Sequence, residues 1–237
     1  MNSIKKQARV AGLLYLLASI PAPFSLIYVP NTFIVKGDAT ATVNHIRNSE
    51  TLFRLGITAE LFGFIMFIFV VLALYHLFKG VSEKHALAMA ILLLISFPIW
   101  FVNVLNDIAA LILVSGASFL SVFDKRQLDA LAYLFVRLHG QGYVVALIFS
   151  GLWLFPFGIL VIRSGFIPRV LGYLLFIAGF GYLASSVTFL LLPAYGPIVD
   201  QIATKLTICE LPIILWLLIW GAKDQLVDQL HPDPVIA

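Results

Sequence analysis

A chain of 237 residues that is 61% hydrophobic and only 11% charged cannot clothe itself in a water-facing surface, because soluble domains carry about a quarter charged residues. The net charge of +3 is scattered without a basic stripe, which excludes a nucleic-acid binder and makes the basic residues markers of membrane topology. The single cysteine, Cys209, excludes an intramolecular disulfide and a multi-thiol metal site.

About 20 apolar residues cross the hydrocarbon core as a helix. Six windows qualify, at residues 9–30, 52–78, 86–115, 140–163, 170–193 and 203–222. They predict an all-α fold, a polytopic membrane bundle of about six transmembrane helices forming a single domain over 1–237. The first window follows Lys5, Lys6 and Arg9 and lacks an Ala-x-Ala cleavage site, so it reads as an uncleaved span. The second and third exceed the bilayer thickness, which predicts tilt, a kink at Pro98 or projecting ends. Pro21 and Pro23 in the first span and Pro212 in the last each remove a backbone donor and free a carbonyl about one turn earlier.

Orientation follows from the cations beside the span ends. With the N-terminus inside, Lys79, Lys84, Arg163, Arg169 and Lys223 fall on the cytoplasmic side with the N-terminal cluster. Lys36, Arg47, Lys125, Arg126 and Lys205 fall outside, with Arg54 and Arg137 near the outer boundary. The bias predicts a multi-pass protein of the cell membrane with both termini cytoplasmic. On the outer side, 38–50 reads as a short interfacial helix capped by Asp38, and 124–138 as a helix running on into the fourth span. The run from Ala194 to Gln201 reads as a short connecting loop around Pro197.

Several motifs stand in a fixed order along the chain. They are Arg9-Val-Ala-Gly-Leu-Leu-Tyr-Leu-Leu, Ser49-Glu-Thr-Leu-Phe-Arg-Leu-Gly-Ile, Phe123-Asp, Leu138-His-Gly-Gln-Gly-Tyr, Ser164-Gly-Phe-Ile-Pro-Arg-Val-Leu-Gly, and Glu210-Leu-Pro ahead of Trp216. Nearly end to end, the chain resembles the bacterial multipass family catalogued as domain of unknown function 4386. The resemblance implies a small prokaryotic membrane protein and carries over no catalytic residue.

Ionisable groups inside a bilayer cost about 2.5 to 3.5 kcal/mol each at a helix centre, so they persist where they meet a partner or a wet cavity. The second span holds Arg54 and Glu60. The third holds Asn103, Asn106 and Asp107, whose i, i+3, i+4 spacing puts them on one face. The fourth begins with Arg137, His139 and Gln141. The fifth offers Ser185, Ser186 and Thr188, and the sixth Thr204, Thr207 and Glu210. All fall in the predicted outer half, while 64–74 and 213–220 are almost wholly apolar.

That depth pattern predicts a shared polar site open to the outer half of the bilayer. Its candidate ligand-binding residues are Arg54, Glu60, Asn103, Asn106, Asp107, Arg137, His139, Gln141, Thr207 and Glu210. The opposing reading is helix-to-helix pairing, Arg54 with Glu60 or Asp107 and Arg137 with Glu210. Gly140-Gln-Gly-Tyr is too short for a phosphate loop and reads as a close-packing element.

The remaining inventory narrows the chemistry. His45, His76, His85 and His231 lie away from the predicted polar depth, leaving His139 as the one histidine within it. There is no GxSxG, HExxH or P-loop motif, no filter-like segment and no repeated halves. No cofactor and no metal site is predicted, a His-plus-carboxylate site of His139 with Glu60, Asp107 and Glu210 being a minor alternative with a weak spacing signal. The reading that remains is an integral membrane protein binding a lipid or small amphiphile, with membrane lipids as its partners. Its rivals are an intramembrane enzyme using His139 with Glu60, Asp107 or Glu210, and a structural or assembly protein with internally paired charges.

Overall fold

A computed structural model describes residues 3–223; His231 lies outside them. Among the described residues all regular structure is helical. Six helical stretches among the described residues are long and apolar enough to cross a membrane: Ile4–Phe33, Glu50–Phe78, Glu83–Val114, Lys125–Ser164, Arg169–Leu191 and Pro193–Ile219. The chain is an integral membrane protein built as a polytopic helical bundle.

The first stretch comprises α1 (Ser3–Ser19), a π-helical turn at Pro23–Tyr28 and α2 (Val29–Phe33). The prolines explain the turn. Without their N–H groups the i→i−4 ladder cannot run through, and the chain widens until Val29 N–H reaches Phe24 O. Ser25 Oγ donates to Pro21 O at 3.1 Å.

Next comes α3 (Ala39–Asn48), capped by Asp38, whose carboxylate accepts from Ala41 N–H at 2.8 Å. Then follow α4 (Glu50–Phe78) and α5 (Glu83–Val114), which continues past Pro98. A 28-residue α6 (Lys125–Leu152) is followed by α7 (Leu154–Ser164). As the sequence predicts, the helix over 124–138 runs on into the fourth span, and Asp124 and Gln127 open α6 with a reciprocal capping box. Gln127 N–H donates to Asp124 Oδ1 and Asp124 N–H to Gln127 Oε1, each at 2.9 Å.

The long helix α8 (Arg169–Leu191) leads to α9 (Gly196–Thr207) and α10 (Leu211–Ile219). The expected loop around Pro197 is helical instead: proline in the first turn of a helix forfeits only a donor that has no partner there. Between α9 and α10 the chain tightens into a 3₁₀ turn, Ile208–Glu210, where Pro212 interrupts the α-ladder.

The chain packs as two compact units. One is built from the chain up to Leu17, from Met66–Ser96 and from Leu147 onward; the other from Ala18–Ile65 and Phe97–Ala146. In the first unit, glycines set the helix spacing. Gly151 and Gly158 meet Gly179 and Gly172 so closely that a Cβ at Gly158 would lie 2.8 Å from Gly172 O, and one at Gly151 2.8 Å from Gly179 O. Such close backbone approach is how helices pack without a hydrophobic driving force. Around them Trp153, Phe157, Phe78 and Phe166 form a continuous aromatic core.

The second unit has its own core, with Val29, Phe33, Val43, Ile46, Phe53, Val104, Leu111 and Val136 buried together. Asp129 on α6 is almost fully buried and is met by Arg47 of α3 at 3.0 Å and by Lys125 at 3.5 Å, which ties the short helix down.

Candidate functional site

Three helices of the second unit converge on one histidine. Glu60 enters from α4, Asp107 from α5 and His139 from α6. His139 Nε2 lies 3.5 Å from Glu60 Oε2, and its Nδ1 lies 3.2 Å from Asp107 Oδ2, so the imidazole stands between two carboxylates. All three are withdrawn from solvent; their side chains are 14% (His139), 5% (Glu60) and 13% (Asp107) exposed. Neither Glu60 Oε1 nor His139 Nδ1 has a hydrogen-bond partner among the described residues. The Nδ1–Asp107 contact is therefore an ion-pair approach without hydrogen-bond alignment.

The spacing of Asn103, Asn106 and Asp107 has a structural use here. Asn103 Nδ2 donates to the backbone carbonyl of His139 at 2.9 Å, and Asn106 Nδ2 donates to Asn103 O at 3.0 Å and Oδ1 at 3.2 Å. The two amides fix the height of His139 against α5. Gly142 makes this possible: a Cβ there would lie 2.0 Å from Asn103 Oδ1. The close-packing glycine of the Gly140-Gln-Gly-Tyr run is thus Gly142, whereas Gly140 has open space around it.

One helical turn further along each helix stands an aromatic layer. Phe64, Trp100 and Tyr143 follow Glu60, Asn103 and His139 at spacings of four, three and four. Phe64 and Trp100 have ring centroids 5.1 Å apart, and Trp100 and Tyr143 4.8 Å apart, an edge-to-face contact. Because α5 runs antiparallel to its neighbours in sequence sense, the backward step from Asn103 to Trp100 points the same way as the forward steps on α4 and α6.

Other residues of the expected site are placed differently. Arg54 is exposed and pairs with Glu50 on its own helix at 2.7 Å, rather than with Glu60 or Asp107. Arg137 and Gln141 are exposed, although four apart and on one face as their spacing requires. Thr207 donates to Thr204 O within α9.

Glu210 belongs to the first unit, where it is held by tyrosines and not by Arg137. Tyr15 donates to its Oε1 and Tyr182 to its Oε2, the latter at 2.9 Å. Neither tyrosine stands out in the sequence, since a tyrosine in an apolar run looks like any aromatic. The signal was Glu210 itself, a carboxylate that needs two donors.

A family model described as "Domain of unknown function (DUF4386)" matches residues 10–221. The chain belongs to this family. No curated protein and no solved structure matches it. The matched segment contains Glu60, Asp107, His139 and Glu210, so both polar clusters lie within the family's extent.

Proposed function

We propose that this protein receives the polar head of a lipid or small amphiphile at Glu60, Asp107 and His139, with the first carbons of the tail against Phe64, Trp100 and Tyr143. The observation that carries the reading is the step from polar to aromatic within one turn of the same three helices. Ligand sites are built in this way, from apolar walls and a few convergent polar groups. Intramembrane ionisable groups are, by default, sites of function. The exposed Arg54 and Arg137 take no part in this cluster, so the head is met by carboxylates and imidazole.

The position of His139 between two carboxylates favours a second reading, proton transfer to or from the bound head. Histidine titrates near neutral pH when unperturbed, and a carboxylate on either side provides both an orienter and a proton acceptor. Glu210 is not part of this reading, because tyrosine hydroxyls occupy both its oxygens. The basic residues support a placement in the cell membrane with both termini cytoplasmic. In a Cys209→Ser background, Lys36→Cys then labels from outside and Lys79→Cys only after permeabilisation; the reverse pattern inverts the topology.

Native mass spectrometry of the detergent-purified protein, with chelator present, tests the binding. Wild type retains a lipid-sized adduct that the Glu60→Gln/Asp107→Asn double variant loses. Equal adducts on both proteins would remove the cluster from ligand binding.

A further inference from the structure

We infer that Glu60, Asp107 and His139 together bind a divalent transition-metal ion, zinc being the ion that their chemistry fits. One ligand atom from each residue lies within 4.8 Å of the other two. Zinc bonds of about 2.0 to 2.1 Å in a tetrahedron set ligand atoms roughly 3.3 Å apart. The 3.2 and 3.5 Å approaches each have about that length, one at either ring nitrogen of His139. Only one ring nitrogen of His139 can hold the ion, so the carboxylate on the far side must rotate toward it.

Charge points the same way. Two carboxylates and a neutral imidazole balance a dication, and no arginine or lysine pairs with the cluster among the described residues. Leaving a buried charge uncompensated is costly. Glu60 is 6% exposed and its Oε1 has no hydrogen-bond partner, so a coordinating oxygen is available inside the cluster. The imidazole selects zinc-like ions over magnesium and calcium, which prefer all-oxygen shells.

The surroundings hold the ligands in place. Asn103 fixes the backbone of His139, Asn106 fixes Asn103, and Gly142 admits Asn103. Three protein ligands leave a fourth position for water or for a head-group oxygen, the arrangement of open zinc sites. The ion's binding does not require an amphiphile, so it is tested by itself.

The experiment uses the full chain in detergent, stripped with a chelator, then dialysed against one equivalent of zinc and analysed for bound metal and for its unfolding midpoint. The expected result is about one zinc per chain and a higher midpoint, because a ligand that binds only the folded state stabilises it. Glu60→Gln and Asp107→Asn keep the size of each side chain, and each should retain roughly tenfold less zinc or lower still. Their metal-free midpoints show whether they fold. The exposed Glu50→Gln serves as control and retains wild-type zinc. Cobalt in place of zinc should give the visible absorption of a tetrahedral site in wild type only. Zinc retention by wild type no greater than by the Glu60→Gln/Asp107→Asn double variant overturns the inference. So does a cobalt spectrum unchanged by Glu60→Gln. Zinc bound by wild type, with a lipid adduct that is absent from wild type or equal on wild type and the double variant, would overturn the amphiphile reading and leave the metal site standing.

Discussion

Two buried carboxylates of this protein are treated in opposite ways. Glu210, in the first unit, is bound through both oxygens by Tyr15 and Tyr182, neutral donors from two other helices. Glu60, in the second, faces another carboxylate across one histidine, and one of its oxygens has no hydrogen-bond partner. A membrane carboxylate that has its donors is part of the scaffold. Glu60, with one oxygen unpartnered beside a second carboxylate, is the group that the proposed ligand and metal readings use. On the proposed reading Glu210 belongs to the scaffold and Glu60 to the site, and both roles can be tested.

The largest effect should come from the scaffold side. A Cβ at Gly12 would lie 2.4 Å from the backbone nitrogen of Leu218, and backbone cannot rotate out of the way. Gly12→Val should therefore cost about 3 kcal/mol, at the upper end of overpacking, read as a lowered unfolding midpoint in detergent. Tyr15→Phe comes next. It leaves Glu210 Oε1 buried without its donor, and orphaning such a group costs about 1 to 3 kcal/mol. A Tyr15→Phe midpoint equal to wild type would mean that Glu210 is not a scaffold group.

The opposite outcome is expected at Glu60. With metal removed, Glu60→Gln should change stability by less than about 1 kcal/mol, because the amide oxygen can still face His139 Nε2 while the buried charge beside Asp107 is deleted. A loss as large as that of Tyr15→Phe would make the two carboxylates equivalent and erase the distinction. Smallest of all is Arg54→Gln. The pair it breaks is exposed and lies within one helix, so the change should stay below about 0.5 kcal/mol. A larger loss would restore Arg54 to the polar cluster.

How much of this could be read in advance varied with the kind of information involved. Asp38 as a cap and Pro212 as an interruption were legible because both act within a turn of their own position. The face shared by Asn103, Asn106 and Asp107 was legible from helical spacing, but spacing does not say which way that face is turned. The same limit applies to Arg137 and Gln141, which share a face that proves to be exposed. Arg47, read as a topology marker, also pairs with Asp129, a residue 82 positions away. Gly142 looked like half of a packing motif, and its use depends on a side chain from another helix.

The sequence by itself determined that the chain lives in a membrane, how many times it can cross and where its helices are capped or interrupted. Those properties follow from hydropathy, length and backbone donors, all of them local. Only the tertiary structure decided the partners: that Glu210 meets two tyrosines and that Glu60 and Asp107 meet one histidine. Partnership depends on the rotation of each helix about its axis. That rotation is set by packing such as the glycine contacts, which join residues far apart in the chain.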